Sequence, residues 1–421
     1  MSKRVNGFEA YNSYVRVNVE RINCIYAVVP SLFGSTGDAV NERQFITTLA
    51  EVANANVKVF AFVSLRQAMR ERRYLKQQIN ELVKRGVAVI PLPMFPYLTT
   101  FYSLIIFILV SFYLWMKIKL GVKVLIYIRT SNLALGFLEI PEVAKRSIVK
   151  IPAILEDENL HISIIERKLL DVFDRKAVAK AGAIAFPSPL MYVNFLKRRR
   201  VFKPLSQVIL LPAGVNSRKL AQIKIARKNS DMNDYKICFL GLLQWWQGVD
   251  ILVKAVALLK NKFSELRDKI KLEIIGDGPQ RALIERLCQA LGVNCELTGY
   301  LPHEDALKRL SGCGILVLPR RRSSTTEAVI PLKVIEAWAL SIPVVVTRHK
   351  IFEFYGLKDG EDLVYCEPTP KSVADALGKV FLSENVRIML REKGPIIAQR
   401  FDYYTLAKRV LNNMRSSDNI K

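Results

Sequence analysis

Histidine is almost absent from this chain, with three residues in 421, at positions 161, 303 and 349. None stands at the short spacing from acids or thiols that a zinc site uses, so metal catalysis through histidine is not expected. Cysteine is sparse as well. The six residues at 24, 238, 288, 295, 313 and 366 form no Cys-x-x-Cys pair. Most sit in apolar runs, which reads as buried free thiols in a reducing compartment. The amino terminus is charged and has no apolar core of the length a secretory signal needs, so export is not expected. Acidic residues are also in short supply: 38 Asp and Glu stand against 63 Lys and Arg, a formal charge of +25. Such an excess calls for a polyanionic partner, either nucleic acid, an anionic bilayer face or phosphorylated small molecules. No nucleic-acid-binding motif and no dense basic and aromatic face accompanies it, so nucleic acid rests on charge alone and is not the expected partner.

What the chain does contain is ordinary globular composition, 51% hydrophobic and 24% charged. At roughly 100–200 residues per domain, two domains are expected. The first half reads as strand 21–29, a Gly34-Ser35-Thr36-Gly37 turn, a helix over 41–54, strand 57–63, a charged helix over 66–84 and strand 87–91. Further short apolar runs follow at 124–128, 148–154, 183–186 and 208–212. The second half repeats the plan with runs at 237–241, 272–276, 295–298, 314–319, 343–347 and 363–366, separated by helical patterns. Alternating short apolar runs and helices imply two doubly wound α/β domains, residues 1–212 and 213–400. A final helix over 401–421 is expected to return to the first domain. Ligands bind such sheets at the carboxyl ends of the strands, so the site is expected in the cleft between two facing domains.

One segment interrupts the pattern. Residues 97–116 carry no charge and are rich in Leu, Ile, Phe and Tyr, with Lys117 and Lys119 behind them. By count the segment could cross a bilayer. A span would put strands of one sheet on opposite sides of the membrane, so the segment reads as a long apolar helix on the sheet, either plain core or half embedded in the membrane interface.

The second half carries an ordered set of motifs: Leu240-Gly241 followed by Trp246-Gln247-Gly248, then Gly276-Asp277-Gly278-Pro279, Thr298-Gly299, Val317-Leu318-Pro319 and Pro331-Leu332-Lys333-Val334-Ile335-Glu336. Their order and spacing over about residues 235–400 resemble the donor domain of family 4 retaining glycosyltransferases of the GT-B fold, and the Trp-x-Gly and Pro-x-Lys-x-x-Glu elements resemble one subset of them. The resemblance implies two facing Rossmann-like domains, a nucleotide-sugar donor, retention of anomeric configuration, and no cofactor and no required metal. It places Glu336 on the ribose hydroxyls, with the Leu332 amide and Lys333 at the diphosphate. Gly276 and Gly278 let backbone pass close to a base or sugar.

The chain departs from that family in its cations. Where members carry Arg and Lys around the first glycine turn, this chain has Leu242 and Gln247, and the first of the family's paired glutamates is replaced by Ala328, with Glu327 beside it. Lys333 and the run Arg320-Arg321-Arg322 are the expected replacements, with Lys333, Glu327 and Glu156 as candidate catalytic residues. Gln247, Arg320 and Arg321 join the donor-binding set. The Gly34 to Gly37 turn opens a helix after a strand, where free amides favour an anion or acceptor. The expected acceptor is a lipid-linked or cell-envelope glycan precursor, met at an anionic membrane surface by a cytoplasmic, peripheral enzyme. A fold that has lost catalysis and acts as a binder is the alternative that Leu242 and Gln247 suggest.

Overall fold

The computed structural model describes residues 22–30, 32–34, 36–69, 71–94, 99–154, 163–226 and 233–418. Two parallel sheets carry the fold. Strands β1 (Cys24–Val29), β2 (Asn56–Ser64), β3 (Val87–Met94), β4 (Val124–Arg129), β5 (Ser147–Lys150), β6 (Ala183–Phe186) and β7 (Val208–Leu210) are ordered 3-2-1-4-5-6-7. Strands β8 (Asn233–Leu240), β9 (Lys271–Ile275), β10 (Cys295–Gly299), β11 (Cys313–Leu318), β12 (Val344–Thr347) and β13 (Val364–Cys366) are ordered 10-9-8-11-12-13. Each sheet reverses direction beside its first strand, the switch point at which open α/β sheets take ligands. β1, β4 and β11 are buried along their whole length, which explains their uninterrupted apolar runs. Pro91 and Pro93 lie on β3, an edge strand, where a missing ladder donor is tolerated.

The chain divides into two compact units. Residues Ala213–Asp402 build one around β8–β13. The other holds β1–β7 together with the closing helix Tyr403–Asp418. That helix buries Tyr403, Leu406, Ala407, Val410 and Leu411 in the core formed by Ile25, Ala27, Val59 and Phe45. Tyr403 Oη donates to Asn41 Oδ1 at 3.1 Å, and Arg409 donates to the Leu210 carbonyl at 2.8 Å.

Several local expectations change. The charged helix expected over 66–84 consists of Leu65–Met69 and Arg72–Lys84, the first opened by Gln67 Oε1 accepting from the Ser64 amide at 3.1 Å. The strand expected to run to Ile154 ends at Lys150, where its pairing with β4 and β6 stops. Cys238 and Cys313, expected as free thiols, form a disulfide. They lie on the paired strands β8 and β11 with Cα atoms 6.1 Å apart, a proximity that their separation of 75 residues hides from the sequence.

The apolar segment forms the helix Thr99–Lys119, long and apolar enough to cross a membrane yet with one face on the sheet. Ser103, Phe107, Ser111 and Leu114 are buried at helical spacing. The Phe107 ring stacks on Phe137 at 4.8 Å, and Ser111 Oγ donates to the Gly136 carbonyl at 2.9 Å. Only 22% of the helix is buried, so it is not a plain core helix.

A buried charge network joins the first helix to the sheet. Glu42, on helix Gly37–Ala53, accepts from Tyr127 Oη at 2.8 Å and Lys150 Nζ at 2.6 Å, with Arg129 Nε at 3.3 Å. Burial pushes the Glu42 carboxyl up, but Lys150 and Arg129 outweigh it and hold the group below the usual carboxylate range. Glu42→Ala is expected to destabilise this unit by about 3–5 kcal/mol in urea unfolding, because it strands the buried Lys150 ammonium and leaves Arg129 with Asp38 alone. The pH dependence has a definite sign. The contribution is complete above the ordinary carboxylate pKa and is lost as pH falls through the lower folded value, so Glu42→Gln should flatten the acid limb of the stability curve.

Candidate functional site

The second sheet ends in two turns laid against each other. The Gly241 amide donates to the Ile275 carbonyl and the Leu243 amide to the Asp277 carbonyl, both at 2.9 Å. Gly276 sits at φ +143°, and a Cβ there would lie 2.1 Å from the Gly241 carbonyl oxygen. The neighbouring turn by itself requires glycine at 276. Gly278 closes the same turn, its amide donating to Asp277 Oδ1 at 2.8 Å. Gly241 has a different neighbour: a Cβ on it would stand 2.4 Å from Lys333 Nζ. The lysine runs beneath the glycine turn.

Lys333 lies in the first turn of helix Leu332–Ala339, which begins directly after Pro331. Its Nζ donates to Gln247 Oε1 at 3.4 Å and lies 4.6 Å from the centre of the Phe239 ring. Burial lowers its pKa to about 7, aided by the positive charge of Arg320 and opposed by Glu336. Gln247 thus presents an acceptor to the lysine, and the cation stands on the facing helix instead. Glu336, one turn further along, is only 4% exposed, and its Oε1 lies 2.6 Å from His303 Nε2. His303 is 33 residues away in the chain, in the Pro302-His303-Glu304 element of the same ordered set, which gave no sign of this pairing.

The arginine run is divided by its partners. Arg320 is buried, with its guanidinium 5.0 Å from the Trp246 ring. Arg321 forms a two-pronged ion pair with Asp250 at 3.0 and 2.7 Å and donates to the Trp245 carbonyl at 2.5 Å, contacts that brace the loop after β11. Arg322 pairs with Glu327 and Glu367 at 2.7 and 2.9 Å. Glu327 also accepts from the Lys350 amide at 2.8 Å and lies 3.3 Å from His349 Nδ1. With its oxygens so occupied, Glu327 holds a loop together in this structure. His349 is buried and pushed down to about 4, by burial first and then by Arg320, which leaves the imidazole neutral near pH 7.

In the first unit, Arg43 Nη1 donates to the carbonyls of Leu32 and Gly34 at 2.6 and 2.7 Å, which anchors the turn before the helix that Gly37 opens. Thr36 and Gly37 are exposed. Asp38, in the first turn of that helix, is paired with Arg129 at 2.8 Å. Ser35 and Glu156 lie outside the described residues. Among the described residues one group has ligand spacing for a metal, Cys238, Glu273 and Cys313. Its two sulfurs are bonded to each other, and Glu273 is paired with Lys236 and Arg309, so the set offers no free ligands.

Two doubly wound parallel sheets, with turns and a lysine-bearing helix gathered at the carboxyl ends of the second, define a GT-B fold. Residues 221–396 match the family described as Glycosyl transferases group 1. D-inositol 3-phosphate glycosyltransferase of Corynebacterium urealyticum is 26% identical over 188 residues, which is 43% of this chain and 42% of that protein. The match therefore spans less than half of that relative's length. The structure of Anabaena HepE in complex with UDP superposes with a TM-score of 0.68 at 14% identity, covering 94% of this chain and 100% of that one. A glycosyltransferase from Rickettsia africae does so with a TM-score of 0.70 at 13% identity, covering 96% and 100%. At these identities the likeness establishes the fold.

A lysine whose folded pKa lies near 7 binds fewer protons than its unfolded counterpart between that value and the ordinary lysine range, so it adds a rise in stability with pH over that window. Lys333→Met should remove this rise. Urea unfolding of wild type and variant near pH 7 and near pH 9 measures it. Equal slopes in the two proteins would contradict the buried position of the ammonium.

Proposed function

We propose that this chain is a metal-independent glycosyltransferase that moves a sugar from a nucleotide sugar to a lipid-linked or cell-envelope glycan acceptor, with retention of configuration, at the cytoplasmic face of the membrane. One observation carries the reading: an ammonium held beneath Gly241 at the start of a helix, with Glu336 one turn behind it on the same helix. Free amides at Leu332 and Lys333, the helix dipole and the lysine make one anion site, suited to a diphosphate. Glu336, oriented by His303, accepts from the ribose hydroxyls. The family match over 221–396 and the UDP bound to Anabaena HepE support a nucleotide donor, and UDP is the first to test.

Lys333 acts where charge develops. As the bond from sugar to phosphate breaks, negative charge grows on the leaving diphosphate, and a fixed cation in a poorly hydrated place stabilises that state more than the ground state. The protein's other task is to hold donor and acceptor in register. The exposed apolar face of helix Thr99–Lys119 supports a membrane-bound acceptor. Leu242 and Gln247 support a second reading, a binder that has lost catalysis, because they replace the cations of the resembling family.

Two experiments test this. Glu336→Ala should weaken UDP binding in calorimetry by about tenfold or more, roughly 1.4 kcal/mol, with the fold intact. Unchanged affinity would remove the carboxylate from the donor site. In the second, a panel of UDP-, GDP- and ADP-sugars is screened by thermal shift, and turnover on the donor it identifies is compared for three proteins. Lys333→Ala should lose about 10²–10³ in rate, and Leu242→Arg with Gln247→Lys should gain little. Activity seen only in the restored double variant would establish the binder.

A further inference from the structure

Two helices on the same side of the first unit expose apolar faces. On Thr99–Lys119 the exposed apolar side chains include Phe101, Ile105, Ile108, Leu109, Phe112 and Met116, a stripe in helical phase that runs roughly 22 Å. Phe101 is 70% exposed and Leu109 68%. The second face is on helix Ile164–Lys180. Its carboxyl half is anchored: Asp174 accepts from Ser131 Oγ at 2.5 Å and from Arg199 Nε at 2.7 Å, and Lys180 pairs with Glu139 at 2.9 Å. Its first two turns stand clear of the body. Ser163 and Glu166 close them with a reciprocal capping box, so the helix start is formed without packing support. On those turns and the start of the third, Ile165, Leu169 and Val172 recur at i, i+4 and i+7, with Ile165 73% exposed. Both helices pack against the short turn Leu135–Leu138, which makes them neighbours on one face of the sheet.

We infer that the amino-terminal turns of helix Ile164–Lys180 and the stripe of helix Thr99–Lys119 form a single lipid-facing surface that seats the protein on an anionic leaflet at two places. The inference deepens the membrane reading above and rests on it. Exposed Arg167 and Lys168 lie between the apolar residues of the second helix. At the end of the first, Lys117 lies 5.0 Å from the Tyr113 ring and Lys119 5.8 Å from the Trp115 ring. Amphipathic aromatics beside lysines suit the headgroup level, with their apolar neighbours below it. A charge of +25 favours an anionic leaflet and disfavours a second copy of the same chain. Two patches on one rigid body bind together far better than either alone, because the second contact is intramolecular.

The test is cosedimentation of the full chain with phosphatidylcholine vesicles, with and without phosphatidylglycerol. Ile165→Ser with Leu169→Ser should lower partition into the anionic vesicles by about tenfold or more, as should Leu109→Ser with Phe112→Ser. Both variants should keep the Tm and the UDP affinity of the wild type, since the altered side chains touch neither core nor donor site. If the first variant partitions like wild type while the second is lost, the two-place surface is wrong and a one-helix attachment stands. Wild-type protein that ignores both vesicle types removes the membrane reading altogether. A fall in Tm for Ile165→Ser with Leu169→Ser would show that the chain itself covers the patch. A dimer in sedimentation equilibrium that the same variant abolishes would show that a second copy does; either result overturns the inference.

Discussion

The ammonium of Lys333 under the Gly241 turn is the constraint around which the carboxyl-terminal unit is arranged. A side chain at 241 would occupy its place, and a side chain at 276 would push the Gly241 turn away. Gln247 turns an oxygen towards the lysine and Phe239 turns a ring face, so the cation is held by weak partners and keeps its capacity for an anion. A carboxylate in the same position would have held it more firmly and would have neutralised it. The cost of this arrangement is a lysine whose proton is loosely bound near neutral pH.

The remaining cations around the site are sorted by their partners. Arg321 belongs to Asp250 and to the Trp245 carbonyl, and Arg322 ties Glu327 to Glu367, so both brace the loop after β11. Arg320 lies inward, against Trp246. Of the three arginines only Arg320 depresses the Lys333 pKa, whereas at His349 burial acts first and Arg320 and Arg322 both add to it. Loop stability and site electrostatics are divided between adjacent residues of one run.

In the first unit the decisive feature is asymmetry. Glu42 draws Lys150, Arg129 and Tyr127 into a closed network on the core side of the first helix. On the opposite face of the sheet the apolar helix is seated by Phe107, by Ser111 and by the stacking on Phe137. That seat uses one side of the helix only. The other side is as hydrophobic as a core yet faces outward, a combination that soluble surfaces avoid at this size.

Strand and helix succession, two repeated α/β plans and the turn positions were legible in the sequence, because buried parallel strands are short apolar runs and glycines mark their ends. The Pro331 to Glu336 element was legible for the same kind of reason: a proline before a helix and a carboxylate one turn in are local facts. Pairings between distant residues were not. His303 and Glu336 are 33 residues apart, and Cys238 and Cys313 are 75 apart. Arg321 and Asp250 are separated by 71. Nothing in their local sequence distinguishes a paired group from a solvated one. Which face of the apolar helix is covered was likewise settled by packing, since all faces of Thr99–Lys119 are apolar and periodicity carries no information there. Local geometry is written residue by residue, whereas the partner that decides whether a charge braces a loop or serves a site is supplied only when the strands are brought side by side.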